Sequence, residues 1–265
     1  MPPVEDNQAS EITSEITSKV RQMSSVKPTT SIRTARALIT RRRMIDSARE
    51  LFVGQGYALT TMDQIAGRAG VAVQTVYYTF KTKGQLLCEV VEVTAAGEDP
   101  PVPPTQRPWM REMLSSTSGP RVLALGVEHG TTIYERVAVL WPAVRAAAAA
   151  DPTVDQYWRG VAANRRNGQR AMVARIAELG CLRPHLDVEH ATDLVAVLIG
   201  HDVYSGLVQE AGWPVRAYRG WLFGTLVEQL LRARRIDPRT VSDLSFAADI
   251  PGRRPAEEGA QRPVR

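Results

Sequence analysis

A short stretch that begins after Gly70 carries side chains suited to contacting the edges of DNA bases. If this stretch is helical, Val76 and Phe80 lie one turn apart and pack inward together. Five residues are then left to face outward: Val73, Gln74, Thr75, Tyr77 and Tyr78. Valine and threonine methyl groups can contact thymine methyls, glutamine can pair with adenine through two hydrogen bonds, and tyrosine hydroxyls can reach phosphates. The pattern predicts a helix that enters the major groove.

The residues around this helix add positive charge and leave one alternative open. Lys81 and Lys83 follow directly, where their ammonium groups can bind the phosphate backbone. The alternative concerns Tyr77 and Tyr78, because either ring can lean back beneath the helix and join the core instead. We predict that both lysines bind phosphate and that both tyrosines are exposed, with core packing as the alternative for each tyrosine.

Positive charge is concentrated between residues 33 and 83. This segment holds nine arginines and lysines against three acids, an excess of six, while the whole chain has a net charge of +5. A basic segment of this kind is the electrostatic signature of a surface that meets phosphates. Within it, Arg33 and Arg36 are predicted to reach into an adjacent minor groove as an arm. The run of arginines at 41–43 is as well explained by a solvated helix face.

The first of two helices that must position the recognition helix is predicted over 33–53. Its apolar residues recur at helical spacing and form one stripe: Met44, Ile45, Ala48, Leu51 and Phe52. Gly54 and Gly56 follow, and glycine adopts the left-handed conformation of a helix end without a Cβ penalty. We therefore expect these two glycines to end the helix.

The second positioning helix is predicted over 61–69. Thr61 and Gln64 have the spacing of a capping box, in which each side chain binds a backbone amide near the other residue. Gly70 stands where a C-terminal cap is needed and opens a three-residue turn. Residues 61–80 are thus interpreted as a helix-turn-helix motif.

Composition divides the chain into five parts. Residues 1–32 are rich in Ser, Thr and acids and are expected to form a disordered tail, while 33–96 form the helix-turn-helix domain. A Pro-rich joint spans 97–108, because its prolines lack amide donors and interrupt helices. Residues 109–235 are predicted to form a larger helical domain. Residues 236–265 are predicted to be a flexible tail.

The fold class is predicted as all-α, a three-helix helix-turn-helix head plus a larger helical-bundle C-terminal domain. Apolar residues recur at three- and four-residue spacings, and the alternation typical of strands is absent. A break at Gly130 or a kink at Pro142 is considered for the long central stretch. The further helices are predicted at 73–80, 83–95, 107–116, 120–149, 153–180, 188–209 and 215–235.

Several classes of protein are disfavoured by what the sequence contains. Its four histidines show no metal-binding spacing, and the sequence has no phosphate loop, nucleophile elbow or dinucleotide fingerprint, so neither an enzyme nor a cofactor is expected. Cys88 and Cys181 are too few for a disulfide scaffold and are interpreted as reduced packing residues. Apolar runs are too short to span a bilayer, and the acidic start does not resemble a signal peptide. We expect a cytoplasmic protein.

The segment from Arg43 to Val91, RMIDSARELFVGQGYALTTMDQIAGRAGVAVQTVYYTFKTKGQLLCEVV, resembles the N-terminal domain of the TetR family of bacterial repressors. The resemblance covers roughly fifty residues. It departs from the family at Ala72, where a serine cap is frequent, at Thr79 and at Gly84, where an acid is frequent. These departures affect individual phosphate contacts and the choice of operator sequence.

The resemblance implies a homodimer whose two heads bind a palindromic operator in double-stranded DNA, with regulation by a small-molecule effector. It also implies which residues lie near DNA: Thr61, Val73, Gln74, Thr75, Tyr77, Tyr78, Lys81 and Lys83. The alternative to such a regulator is a helical adaptor or co-regulator that binds DNA weakly, which the missing cap at Ala72 motivates.

The last two predicted helices carry wide apolar stripes. TetR-like proteins dimerise by packing such a helix pair against its copy in a four-helix bundle. The residues predicted for this interface are Leu194, Val197, Leu198, Trp221, Leu222, Leu226 and Leu230. The alternative is that these helices only close the core of one protomer.

TetR-like bodies usually hold an effector cavity between their middle helices. The residues predicted to line it mix aromatic surface with a few polar groups: Tyr134, Trp141, Arg145, Tyr157, Trp158 and Asn164. The alternative is ordinary core packing, because aromatic residues at helical spacing are more often core than ligand contacts.

Overall fold

The computed structural model describes residues 32–97, 107–232 and 237–249. The all-α prediction is confirmed for these residues, in which the only β-type pairing is an isolated bridge between Leu182 and Leu231. The α-helices, numbered here in chain order, are α1 (Ile32–Leu59), α2 (Met62–Ala69), α3 (Val73–Phe80), α4 (Lys83–Ala96), α5 (Pro108–Ser115), α6 (Gly119–Val137), α7 (Trp141–Ala150), α8 (Pro152–Glu178), α9 (Val188–Leu198), α10 (His201–Tyr204) and α11 (Val215–Leu230).

The chain forms two compact units, Met1–Arg42 and Arg43–Arg265. In the first unit the structure describes only the start of α1, where Leu38 and Ile39 are exposed. The predicted tail at 1–32 and most of the predicted joint lie outside the described residues, so both stay predictions.

The first helix is longer than predicted. Gly54 lies within α1 and the helix continues to Leu59, with its only non-helical residue at Gly56 (φ 79°). One positive-φ glycine therefore kinks the helix, whereas two were expected to end it. Its predicted apolar stripe is buried in the core of the head at Met44, Ile45, Ala48 and Phe52, with Leu51 partly buried beside it.

The long central stretch predicted at 120–149 is divided at a different place from the two considered. Gly130 lies inside α6, and the α-helix gives way to a 3-10 turn at Ala138–Leu140. Pro142 then lies in the first turn of α7, where a proline costs no hydrogen bond because that amide has no helical partner. The proline thus starts a helix and does not kink one.

The body core is formed mainly by α6, α8, α9 and α11, and α4 of the head packs on both α6 and α8. Its largest fully buried side chains include Tyr218 and Phe223 on α11 and Leu123 on α6. One helix of the head therefore contacts two helices of the body, and a shift of either body helix would change that contact.

The predicted helix 188–209 is interrupted. Ile199 leaves the helical region (φ −87°, ψ 56°), α10 has only four residues, and a π-helical turn follows at Ser205–Glu210. The break has a tertiary cause: the Ile199 carbonyl oxygen accepts hydrogen bonds from Tyr134 Oη at 2.9 Å and from Gln169 Nε2 at 3.2 Å. Partners on other helices therefore replace the intrahelical bond.

The stretch 188–210 is the one part of the described chain with the length and apolar composition of a membrane-spanning helix. Its α-helix is broken at Ile199, and Ala191, Thr192 and Val195 are buried against the rest of the protein. Core helices satisfy the same two criteria, and a broken backbone facing lipid would leave polar groups unsatisfied. We interpret the stretch as a core element.

The prediction of a flexible tail from residue 236 does not hold for 237–249. This segment forms two 3-10 helices and buries Val241 and Phe246 in the body core. The buried Arg219 on α11 helps to hold it, since Nη1 donates to Ser245 Oγ at 3.1 Å while Nε donates to Thr131 Oγ1 on α6 at 2.7 Å. Residues 250–265 lie outside the described part.

Candidate functional site

The recognition helix α3 has one buried face and one open face. Val76 and Phe80 are buried in the head core, as predicted, and Val73 is half-buried beside them. Gln74 and Thr75 are exposed. Tyr77 and Tyr78 are 48% and 80% exposed, so the core-packing alternative fails for both. Four polar or aromatic side chains thus share the open face: Gln74, Thr75, Tyr77 and Tyr78.

The helix that precedes α3 is fixed at both ends. The predicted capping box is confirmed: Gln64 N donates to Thr61 Oγ1 at 3.2 Å, and Thr61 N donates to Gln64 Oε1 at 2.9 Å. At the other end Gly70 is left-handed (φ 64°), and the Arg43 guanidinium donates to the Ala69 carbonyl. Arg43 therefore holds the turn that places α3, while the Thr61 hydroxyl keeps its proton for a further acceptor.

Lys81 ends the recognition helix and stays available for phosphate. It is the one non-glycine residue with positive φ (61°) among the described residues, and such a conformation costs on the order of 1 kcal/mol. Its Nζ donates to the Tyr78 carbonyl at 2.7 Å and lies 5.0 Å from the centre of that tyrosine ring. Since an ammonium has three donors, this contact holds the charge beside the open face and leaves donors unused.

Lys83 has a more internal position than predicted. Its Nζ donates to the carbonyls of Tyr57 at 2.8 Å and Thr60 at 2.9 Å, and it lies 4.2 Å from the Tyr57 ring centre. Partial burial lowers the pKa of Lys83. Two of its three donors therefore tie the end of α1 to the start of α4, and its predicted phosphate contact depends on the third.

The two arginines predicted as a minor-groove arm lie in α1. Arg36 is exposed, and the side chain of Arg33 lies outside the described residues. Their contact with DNA stays a prediction.

The recognition helix lacks a side-chain cap at Ala72. This residue has the extended backbone of an N-cap residue (φ −68°, ψ 143°), but its side chain has no atom that could accept a hydrogen bond from a backbone amide. We expect Ala72→Ser to raise the free energy of unfolding by about 1 kcal/mol, because a serine hydroxyl there accepts a hydrogen bond from the first turn. Urea unfolding measures the change. Ala149→Ser, at an exposed position of α7, is the matched control. Equal stabilities of the two variants would contradict this expectation.

The sequence of the head matches a known protein family. Residues 44–90 match the family model described as bacterial regulatory proteins, tetR family. Residues 44–90 are thus similar to the helix-turn-helix head of that family. The match agrees with the predicted helix-turn-helix head. It covers α2, α3 and most of the helices on either side of them.

The chain is also similar to part of a curated transcriptional regulator. The HTH-type transcriptional regulator SrpR of Pseudomonas putida is 47% identical over 57 residues, which is 22% of this chain and 27% of SrpR. The chain thus matches about a quarter of that relative's length.

Two solved structures share the fold at low identity. A putative transcriptional regulator from Saccharomonospora viridis in complex with choline has a TM-score of 0.58 at 17% identity, covering 73% of this chain and 98% of that one. The transcriptional regulator FadR from Bacillus subtilis in complex with stearoyl-CoA has a TM-score of 0.57 at 19% identity, covering 70% and 97%. At these identities the similarity shows a shared fold and nothing more.

A hydrogen bond joins the head to the body. Tyr57 Oη, at the end of α1, donates to Asp151 Oδ2 at 2.7 Å. Asp151 also caps α8, because its Oδ1 accepts from Thr153 N at 2.9 Å. The bond from the tyrosine lowers the pKa of the Asp151 carboxyl, and burial raises that of the Tyr57 hydroxyl. The turn between α7 and α8 is therefore in direct contact with the DNA-binding head.

The departure from the TetR pattern at Gly84 has a structural reason. A Cβ atom at this position would collide with the carboxylate of Asp151, so α4 can approach the cap of α8 only because residue 84 is glycine. The acid that is frequent there would also place a second negative charge against Asp151. Gly84 and the Tyr57–Asp151 bond thus form one junction.

The predicted effector residues do not all lie together. Tyr157 lines an open cleft of about 400 Å³ at the junction, with Phe80, Cys88 and Thr153 among its neighbours. Burial raises the pKa of the Cys88 thiol to about 12, so this cysteine is inert. Asn164 is exposed on α8. Tyr157 therefore lines the cleft and Asn164 faces solvent, although Tyr157 directly precedes Trp158 in the chain.

The remaining predicted residues meet around a histidine that the sequence analysis did not select. The ring of Trp141 is stacked on His201 at 3.6 Å between centres, and it meets Trp158 at 4.5 Å in an edge arrangement. Tyr134 lies edge-on to His201 at 6.2 Å, and the Arg145 guanidinium lies 5.6 Å from the Trp141 ring. We call the four rings, Trp141, Trp158, Tyr134 and His201, the aromatic cluster.

The predicted dimer residues divide into two groups. Leu222, Leu226 and Leu230 are fully buried inside the protomer core and have no surface left for a second copy, so their assignment to the interface is corrected. The helical pattern showed an apolar stripe on α11 but not which partner covers it. The others keep exposed surface: Leu194 and Val197 are exposed, and Leu198 and Trp221 are half-buried.

Proposed function

We propose that this protein is a sequence-specific DNA-binding transcriptional regulator, an effector-responsive repressor that acts in the cytoplasm. The observation that carries the proposal is the open face of α3. Large rings such as Tyr77 and Tyr78 are seldom held in solvent on a short helix without a partner, and beside them lie Gln74 and Lys81 with donors for a base and a phosphate.

The proposal includes a homodimer on a palindromic operator. On α9 and α11 the apolar side chains that stay accessible include Leu194, Val197, Leu198 and Trp221. Trp213 extends them by an edge contact of 6.0 Å with Trp221. A face of this kind suits packing against its own copy about a two-fold axis. Two heads related by that axis then reach two successive major grooves.

The effector part of the proposal rests on the aromatic cluster and its connection to the head. Trp141 is on α7 and Trp158 is on α8, and the turn between these helices holds Asp151, which accepts the hydrogen bond from Tyr57. A ligand that separates the two tryptophans moves this turn, and the head moves with it. Operator affinity then falls because the spacing of the two heads changes. Choline and stearoyl-CoA, bound by two proteins of the same fold, support a body that accepts small molecules.

The experiment for this function is selection of bound fragments from a genomic library with the purified full chain. We expect recovered fragments to share an inverted repeat and to be bound by two copies of the chain, as measured by mass in the complex. Recovery of random sequence, or of a site bound by one copy, would overturn the proposal of a dimeric operator-binding regulator.

A further inference from the structure

The aromatic cluster contains buried polar atoms that no protein group satisfies. Within the described part of the chain, neither ring nitrogen of His201 has a hydrogen-bond partner, although its side chain is only 3% exposed. The same holds for Trp141 Nε1 and for Oε1 of the buried Gln169. Buried polar atoms are nearly always paired in folded proteins, so several orphans in one place mark a site for a partner.

The side chains that carry these orphan atoms are connected through the segment at 199–201. His201 is stacked on Trp141, and Gln169 Nε2 donates to the carbonyl of Ile199, two residues before the histidine. The Trp141 indole offers a donor and the Gln169 amide offers an acceptor. A ligand that satisfies both must itself carry an acceptor and a donor.

The segment that carries His201 has an irregular backbone. It follows the break at Ile199 and Gly200, consists of the four residues of α10, and continues into a π-helical turn at Ser205–Glu210. Short irregular helices of this kind have few internal hydrogen bonds to lose, and π-helical turns are frequent at functional sites. The imidazole packs against the rings of Trp141 and Tyr134, and its ionic neighbour Asp202 is 3.9 Å away.

We propose that His201 is a displaceable plug, and that an uncharged aromatic amide reaches the Trp141 indole N–H and the Gln169 amide oxygen when the plug moves aside. The amide oxygen accepts from Trp141 Nε1, and the amide N–H donates to Gln169 Oε1. This inference rests on the proposed function, since it names the effector class of that same site.

The charge state of the ligand follows from the groups around the plug. Burial lowers the pKa of His201 to about 4, so the imidazole is neutral at physiological pH and offers no counter-charge. Arg145 is already paired with Asp202 at 3.3 Å, and Arg165 donates to Tyr134 Oη at 3.3 Å. A carboxylate would lack the donor that Gln169 needs, and an amidinium would lack the acceptor that Trp141 needs.

Three probes of one shape separate these cases: benzamide, benzoate and benzamidinium. The full chain is labelled with 5-fluorotryptophan, and the signals of Trp141 and Trp109 are assigned by Trp→Phe variants. We expect benzamide to shift the Trp141 signal and to bind at least about tenfold more tightly than either ion. Trp109, which is stacked on His129 at 4.7 Å, provides the internal control.

Substitution of the plug tests its role. His201→Phe keeps a ring over Trp141 and removes both orphan nitrogens. The plugged state is then more stable and competes better with the ligand, so benzamide affinity should fall at least about tenfold. His201→Ala opens the place and should raise the affinity by about tenfold, because the plugged state no longer competes with the ligand. His129→Ala removes the other histidine–tryptophan stack and should leave benzamide binding at Trp141 unchanged.

Two results would overturn the plug: equal affinities for the three probes, or wild-type affinity for benzamide in His201→Phe. The titrations contain no DNA. A chain that binds benzamide as expected but selects no operator would therefore defeat the proposed function alone, and the two failures are distinguishable.

Discussion

Gln74→Ala is expected to weaken binding of the selected operator about 10- to 100-fold while leaving the fold intact. The side chain is exposed on α3 and has no hydrogen bond to another described side chain, so its loss removes no internal contact. A bidentate contact from glutamine to adenine contributes about 1–3 kcal/mol of discrimination. Specificity should be lost at one base pair of each half-site, as measured by titrating operators substituted one position at a time.

The control for this prediction is Gln156→Ala, which makes the same change at an exposed position of α8. It should bind the operator like the wild type. If Gln74→Ala retained both affinity and base preference, Gln74 would not read a base, and the open face of α3 would need another role.

Acidification should destabilise the protein through His201. The folded state holds its pKa at about 4, chiefly because burial disfavours the charged ring, compared with 6.5 for an ordinary histidine. Asp202 favours the charged form, while Arg145 and Arg165 oppose it. Between pH 6.5 and 4 the unfolded chain binds the proton more tightly, so the free energy of unfolding falls as the pH falls. The loss attributable to this group approaches about 3 kcal/mol.

The measurement is urea unfolding at several pH values for the wild type and for His201→Phe, whose ring cannot titrate. The wild type should lose about 3 kcal/mol more than the variant across this window. His190 provides a control, because a hydrogen bond with Asp187 raises its pKa. Its contribution to stability therefore changes with pH in the opposite direction to that of His201. Parallel curves for the wild type and His201→Phe would show that the histidine is not buried as described.

The sequence predicted the head well because its signals are local. The capping box needs only Thr61 and Gln64, three residues apart, and the turn needs only the left-handed Gly70. The outward face of α3 follows from Val76 and Phe80, one turn apart. Interactions within a few residues of one another can be predicted from spacing, and the structure bears these out.

The body was predicted less well because its decisive contacts join distant residues. Helical spacing placed Leu222 and Leu226 on an apolar stripe, but whether α6 or a second protomer covers that stripe depends on tertiary packing. The break at Ile199 depends on Tyr134 and Gln169, which are 65 and 30 residues away in sequence. The ordered segment at 237–249 likewise depends on contacts with α6 and α11.

The sequence analysis missed His201 because a histidine inside an apolar stretch has no motif of its own. A usable signal was present: His201 and Asp202 follow Gly200 in the middle of a long apolar run, where polar residues need a reason. The junction residues Tyr57 and Asp151 gave no signal, since they are 94 positions apart in sequence.

The measurement that tests the central claim most directly is the dependence of DNA affinity on salt. The full chain should bind its operator with a plot of log K against log salt that is steeper than about −4, because each phosphate neutralised contributes about −0.9 and two heads bind together. Lys81→Ala should make this slope shallower. A slope near zero for the wild type would mean that no phosphates are contacted, and the chain would then be better described as a protein-binding adaptor than as a DNA-binding regulator.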